Sequence, residues 1–377
     1  MGEPNRVLHV FAWFNQGGIE NFVMNVYRNI DKNKIQFDFA FLDGRKGYFD
    51  DEAESLGAHI YHYDSEKNTL KNHYSSLVRI ITEYGPYVAV HSHCYFFSGY
   101  ILWIAKRCGV PIRISHAHDT QKGRKQTLKR KLYECFMRQM LKWNSTDRLC
   151  CSDAAGQYVF TKRMNYQILY NGIDINRFTF NKSTRQEYRR RLGIDNKKVI
   201  LNVGRFVDQK NHRFIVDIFN EITKMRDDVV LLLIGTGELK GEIEDKLKRI
   251  NLYPRVIFLS NIMDTENYYS AADVFILPSK YEGMSIVSIE AQATGLYTLL
   301  STEVTREIAV TDIIEYMDID NPKIWAEKIN SVFDLEYDRG KYNKLFYNSP
   351  FNLRKNIIDL EKIYLRDSIK EAYFEKK

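Results

Sequence analysis

The sequence predicts an α/β protein made of two Rossmann-like halves, each a parallel sheet covered by helices on both faces. Three observations carry this expectation. Short apolar runs alternate with longer stretches of three-and-four apolar spacing, the mark of strands connected by helices in a parallel sheet. The alternation proceeds to about residue 170, is interrupted by the turn-rich Tyr170-Asn171-Gly172-Ile173-Asp174, and then begins again. Glycine-bearing or polar turns follow several of the apolar runs, where doubly wound sheets bind their ligands.

Taken in order, Arg6 to Phe11 reads as a buried strand. The turn Asn15-Gln16-Gly17-Gly18 then opens a helix with Ile19, Phe22, Val23, Val26, Tyr27 and Ile30 on one face. Further strands are expected at 37–42, 59–63, 87–91, 112–115 and 148–151. In the second half they are expected at 199–203, 229–234, 256–259, 274–277 and 298–301. Between residues 122 and 142, eight lysines and arginines alternate with Leu128, Leu132, Tyr133, Phe136, Met137, Met140 and Leu141. This reads as a basic amphipathic helix with those seven residues on one face. The last stretch, 352–377, reads as a charged helix with Leu353, Ile357, Leu360, Ile363 and Tyr364 facing inward.

With 377 residues the chain exceeds one typical core, so two domains of roughly 150 to 200 residues are expected. Hydrophobic residues make up 44% and charged residues 27%, an ordinary globular balance. No window reaches the ~18 to 20 uninterrupted apolar residues of a membrane span, and the start shows no signal peptide. The five cysteines form no Cys-x-x-Cys pair, and their odd number argues against a disulfide framework. A reducing cytoplasm is therefore expected. The 55 basic against 48 acidic residues give a net charge of +7. The excess is concentrated in the basic helix, which suits an anionic membrane surface better than a nucleic acid.

The most informative stretch is Tyr281 to Gly295, after the apolar run Asp273 to Ser279. Glu282 sits on the turn, a helix opens near Ser285, and Glu290 follows about a turn and a half later, roughly 7 to 8 Å along the axis. The backbone N–H groups of Gly283, Met284 and Ser285 lie at the helix start, where such donors have no helical partner and the dipole favours an anion. A carboxylate on the same helix suits the vicinal hydroxyls of a ribose. Just past another strand, Asn202-Val203-Gly204-Arg205 to Lys210 places two cations, a pairing suited to a diphosphate whose charge grows as a bond to it breaks. Gly235-Thr236-Gly237-Glu238 follows a strand, but its third glycine, Gly241, comes one residue late for a dinucleotide fingerprint.

His91 and His93, and His116 and His118, each lie two apart at a strand end, so each pair shares a face. They fit hydrogen-bonded strand ends or substrate contacts; nothing in their spacing fixes the three or four ligands of a metal site. Asp318-Ile319-Asp320 lies in a loop away from these positions. No Gly-x-Ser-x-Gly elbow is present, and Cys150 and Cys151 have no identifiable histidine partner.

Gly17-Gly18, Arg205 with Lys210, Gly235-Thr236-Gly237-Glu238, and Glu282-Gly283 with Glu290, in this order, resemble the retaining nucleotide-sugar glycosyltransferases of the GT-B fold. The group 1, family 4 enzymes of bacterial capsule and exopolysaccharide synthesis are the family in question. The resemblance spans about 6–310, and the seven residues between Glu282 and Glu290 are its most specific part. It implies an N-terminal acceptor domain over 1–175, a nucleotide-sugar domain over 176–351 and a helix over 352–377 returning to the first domain. It further implies that Glu290 holds the ribose and Glu282 the donor sugar. Arg205 and Lys210 would hold the diphosphate, joined by the Gly17-Gly18 turn, Gly235 and the N–H groups of Gly283, Met284 and Ser285. Ile262, within Ser260 to Asp264, would lie near the base, uracil or guanine. His118 would lie by the transferred sugar, although His116 competes for that position.

The implied reaction carries a sugar from a nucleotide diphospho-sugar, UDP-sugar being the expected donor, to a hydroxyl of a glycan or lipid-linked saccharide. The anomeric configuration would be retained as an α-linkage, with no metal or other cofactor required. The expected location is the cytoplasm and the inner face of the cell membrane, touched through 122–142, with no nucleic acid partner. The competing reading is an inactive GT-B protein serving as a nucleotide-sugar sensor or as a partner subunit. Arg205, Lys210, Glu282 and Glu290 all being present argues against it.

Overall fold

The computed structural model describes residues 3–13, 17–63, 69–118 and 127–366. The chain forms two compact units, 1–172 with 353–377, and 173–352. The first contains strands β1 (Asn5–Phe11), β2 (Ile35–Phe41), β3 (Ile60–His62), β4 (Tyr87–Ser92), β5 (Ile112–Ala117), β6 (Asp147–Cys150) and β7 (Gln167–Ile168), in the order β3-β2-β1-β4-β5-β6-β7. Helices α1 (Gly18–Asn29), α2 (Asp50–Ser55), α3 (Leu70–Glu83), α4 (Ser98–Arg107), α5 (Leu128–Asn144) and α6 (Asp153–Phe160) connect them.

The second unit contains β8 (Lys198–Val203), β9 (Val229–Ile234), β10 (Val256–Leu259), β11 (Val274–Leu277), β12 (Tyr297–Ser301) and β13 (Ile314–Met317), ordered β10-β9-β8-β11-β12-β13. Its helices are α7 (Lys182–Leu192), α8 (His212–Met225), α9 (Lys240–Arg249), α10 (Thr265–Ala271), α11 (Ile286–Ala293), α12 (Pro322–Phe333) and α13 (Asn343–Phe346). The final helix, α14 (Leu353–Tyr364), belongs to the first unit. All strand pairings within the two sheets are parallel.

The apolar runs become central strands because both sheet faces are covered. Val229 to Ile234 is buried along its whole length, as are Val274 to Leu277. Two short strands were not expected from the sequence. β7 has two residues, and β13 is a half-buried edge strand whose Ile-Glu-Tyr-Met lacks an apolar run. Both lie at a sheet edge, where one side needs no burial.

Leu353, Ile357, Leu360, Ile363 and Tyr364 of α14 are buried in the same core as Phe22, Val23 and Tyr27 of α1. Burying such a side chain contributes about 1.5 to 3 kcal/mol. Gly172 marks the point where the chain leaves this unit, and a Cβ there would lie 2.9 Å from Leu353 Cα. The close backbone approach explains the glycine.

The basic helix differs from its expected form. Met137 and Leu141 are buried, but Leu128, Leu132, Tyr133 and Phe136 are exposed, as is Trp143. The expected single face cannot exist, because those seven residues span roughly 220° of helix circumference at about 100° per residue. Leu128, Leu132, Phe136 and Trp143 instead fall within about 80° of one another, opposite the buried side. Lys122, Arg124 and Lys125 lie outside the described residues.

Candidate functional site

In the second sheet β8 has β9 on one side and β11 on the other, so the strand order reverses between β8 and β11. The loops leaving two such strands diverge and leave a crevice at their carboxyl ends. Here those loops are tied together. Lys280 N–H donates to Gln209 O at 2.8 Å, Gln209 Nε2 donates to Tyr281 O at 3.0 Å, and Lys280 Nζ meets Asp208 Oδ1 at 2.7 Å. The ties set Lys210 against Glu282, with Nζ 2.5 Å from Oε1. The two side chains are 15% and 8% exposed, so the pair is largely withdrawn from water. Arg205 on the same loop is exposed and has no side-chain partner among the described residues.

Gly235 and Gly237, after β9, support the loop of β8. A Cβ on Gly235 would lie 2.1 Å from Gly204 O, and one on Gly237 would lie 2.5 Å from Phe206 O. Phe206 N–H donates to Thr236 O at 2.8 Å across this contact. These glycines therefore have a packing reason. Gly283 has none, since a Cβ there would meet nothing within 4 Å among the described residues.

Ser285 caps α11 and is buried, its Oγ 2.8 Å from Ser288 Oγ. The N–H groups of Gly283 to Val287 donate to no acceptor among the described residues. Met284 is half-buried beside them, and Ile262 is half-buried on the loop after β10. Glu290 is one and a half turns into α11. Its Oε2 accepts from Tyr269 Oη at 2.8 Å, and the same hydroxyl lies 3.2 Å from Val287 O. Burial raises the Glu290 carboxyl to about 7; the Tyr269 hydrogen bond and the Arg177 charge pull it down, and Glu266 pushes it up. Arg177 is itself fixed by Glu266 at 2.7 Å.

Tyr269, Arg177 and Glu266 were not singled out from the sequence. Tyr269 lies 21 residues from Glu290, and its neighbourhood carries no glycine or charge pattern to mark it.

In the first unit Gly17 caps α1 and Gly18 begins it. Glu20 folds back over this start, with Oε2 2.4 Å from where a Gly17 Cβ would be, and burial raises its carboxyl above the ordinary value. His118 follows β5 and keeps a partly exposed edge. Its carbonyl accepts from Cys151 Sγ at 3.1 Å.

His93 Nδ1 lies 2.9 Å from His118 Nε2, and His93 Nε2 lies 3.1 Å from His9 Nδ1. His116 is drawn away into a second pairing, its Nδ1 3.2 Å from His91 Nε2, while His91 Nδ1 meets Tyr364 Oη at 2.7 Å. Burial lowers all five imidazoles, His9 and His118 to about 3, so each is neutral at pH 7. His93, His116 and His118 bring ring nitrogens within 4.8 Å of one another, as do His9, His91 and His93. Neutral imidazoles are competent metal ligands, so these sets are where the described residues could hold an ion. A signal for His9 was present in the sequence, as the one polar residue in the apolar run Val7 to Phe11.

Two doubly wound parallel-sheet units, one carrying a cation-carboxylate pair and a free helix N-terminus where its strand order reverses, define the GT-B class of glycosyltransferase folds. The model of glycosyl transferases group 1 matches 184–349, and that of glycosyltransferase family 4 matches 16–177. The chain belongs to this glycosyltransferase family. It is 34% identical over 333 residues to EpsF of Bacillus subtilis (strain 168), named as a glycosyltransferase, with 86% of each chain covered. It is 23% identical to the capsular polysaccharide biosynthesis glycosyltransferase CapH of Staphylococcus aureus, over 97% of this chain and 99% of the other. Among solved structures it is similar to Anabaena Alr3699/HepE in complex with UDP-glucose, with a TM-score of 0.71, 16% identity and 98% of each chain covered.

Proposed function

We propose that this glycosyltransferase moves a hexosyl group from a UDP-sugar to a hydroxyl of a glycan or lipid-linked saccharide, with retention as an α-linkage, in capsular or exopolysaccharide synthesis. The observation that carries the reading is the arrangement at the ends of β8 and β11. Lys210, Arg205 and the N–H groups of Gly283 to Val287 offer positive charge and donors where a diphosphate would sit. Glu282 adjoins them for the sugar hydroxyls, and Glu290 adds an acceptor for the ribose. The relatives add support, since EpsF and CapH carry glycosyltransferase names and HepE binds UDP-glucose in its structure.

On this reading the bond between the anomeric carbon and the diphosphate oxygen breaks while a bond to the acceptor oxygen forms. The acceptor proton leaves with the diphosphate. The residues act by positioning and by stabilising the negative charge that develops on the leaving group, and no metal is required. His118, Gly17 and Gly18 take their proposed places near the sugar, the acceptor and the diphosphate from the family resemblance.

Gly283→Ala tests the reading. The added methyl would meet no atom of the described residues within 4 Å, so Tm should match wild type, while turnover with a UDP-sugar should fall about tenfold or more because the backbone can no longer approach the ligand. Wild-type turnover in that variant would overturn it. Thermal shifts across a panel of nucleotide sugars, followed by mass spectrometry of products, would name the donor.

The membrane contact is proposed through α5. Among the described residues no helix is long and apolar enough to cross a membrane. The outward stripe of α5, with Leu128, Leu132, Phe136 and Trp143 at 73, 64, 61 and 60% exposure, is flanked by Lys129, Lys131 and Lys142. Aromatic and aliphatic side chains bordered by lysines suit the headgroup region of an anionic bilayer. Sedimentation with phosphatidylglycerol vesicles should capture the protein at low salt, and Leu132→Glu with Phe136→Glu should abolish capture. No capture of the wild-type protein at low salt would refute this contact.

A further inference from the structure

We propose that His93 positions His118 for transfer, as the middle member of a directional chain of three imidazoles that begins at His9. The inference rests on the reading above that His118 lies by the transferred sugar and the acceptor. His9 Nδ1 meets His93 Nε2 at 3.1 Å, and His93 Nδ1 meets His118 Nε2 at 2.9 Å, so the two contacts run in the same sense. His9 and His93 are 1% and 4% exposed. Among the described residues both ends of the chain, His9 Nε2 and His118 Nδ1, are buried and have no hydrogen-bond partner.

A neutral imidazole carries one N–H and one acceptor nitrogen. In a chain of this polarity the three tautomers are therefore coupled. If His93 donates to His118, then His9 donates to His93 and His118 bears its proton at Nδ1. If the direction is reversed, all three reverse together, and His118 Nδ1 becomes an acceptor. Either way, the one hydrogen bond between His93 Nδ1 and His118 Nε2 decides whether His118 Nδ1 is a donor or an acceptor. An imidazole of mixed tautomer would present a donor and an acceptor in turn and would match a reacting hydroxyl only part of the time.

The rings also hold the geometry. His93 stacks on Phe11 with centroids 4.4 Å apart, and its neighbours His91 and His116 are engaged with Tyr364 and with each other. His116 packs against His118 with ring centroids 4.0 Å apart, but among the described residues only His93 hydrogen-bonds to a His118 ring nitrogen. The position of His93 beyond β4 and of His118 beyond β5, two adjacent strands, brings the rings together.

The test pairs two substitutions of nearly equal shape. Asn places a polar group where His93 Nδ1 was, and Leu does not. His93→Leu should lower kcat roughly 10- to 100-fold with the donor KM within about twofold of wild type, and His93→Asn should recover most of the loss. Long-range proton–nitrogen NMR of the imidazole-labelled full chain should show His118 as a single tautomer in wild type and His93→Asn, and as an averaged mixture in His93→Leu.

An unchanged His118 tautomer in His93→Leu would overturn the proposal on its own. Wild-type turnover in a folded His118→Ala protein would overturn it through the reading it rests on. Stoichiometric zinc, nickel or copper in the purified protein, lost on substitution of His93 or His116, would overturn it by making these nitrogens metal ligands.

Discussion

A Lys210→Met protein should fold and lose about 10²- to 10³-fold in turnover, the usual effect of removing a group that stabilises charge developing on a leaving oxygen. The substitution also leaves the Glu282 carboxylate, 8% exposed, without its cation. That is expected to cost about 1 to 3 kcal/mol of stability, because a desolvated acceptor left unpaired keeps its full desolvation penalty. The double variant Lys210→Met with Glu282→Gln removes both charges while conserving shape. Its stability should return to within about 1 kcal/mol of wild type, since neutral isosteres often replace a buried ion pair without loss. Turnover should stay as low as in the single variant or fall further. Denaturant unfolding and steady-state rates on the three proteins separate the two effects. Recovery of turnover together with stability in the double variant would show the pair to be structural.

Glu290→Gln should stabilise the protein at pH 8 and weaken donor use. The carboxyl is held near 7 in the folded chain, against about 4.3 in an unfolded one. Between these values the folded state keeps a proton that the unfolded state has lost, so this group makes stability fall as pH rises from about 4.5 to 7. Above pH 7 the folded protein carries a desolvated carboxylate at a cost of about 2 to 3 kcal/mol, an upper figure for a half-buried group. Gln removes that slope. The buried histidines act in the opposite sense at lower pH, because their depressed folded values make stability rise with pH up to about 6.5. The difference between variant and wild type, measured by thermal unfolding from pH 5 to 8, isolates Glu290. If the carboxylate accepts from ribose hydroxyls, Gln should raise the UDP-sugar KM about 10- to 100-fold, the worth of a charged hydrogen bond. A flat difference across that pH range would refute the buried-carboxyl account.

Much of this architecture was legible because it depends on local pattern. A strand buried on both faces must be an apolar run, so Val229 to Ile234 and Val274 to Leu277 were located to the residue. Arg205, Lys210, Glu282 and Glu290 were legible as candidates because each sits at a fixed distance from a strand end or helix start. What the pattern could not convey was which residues would meet across the chain. Tyr269 on Glu290, and His9 on His93, are contacts made by the fold at separations of 21 and 84 residues. The faces of α5 went wrong for a different reason. Counting apolar residues at helical spacing does not reveal that they cover more than half the circumference, nor which part the neighbouring helix α4 covers.

The placement of α14 has a consequence for the order of events during synthesis. The second unit is an insertion between Gly172 and Leu353, so the N-terminal sheet is translated first yet must wait about 180 residues for Leu353 to Tyr364 to close its core. The unit made second has its whole sequence available before the unit made first. Nascent chains stopped short of Leu353 should therefore hold a finished C-terminal unit beside an N-terminal one still lacking a wall, and chaperones would engage the older part of the chain.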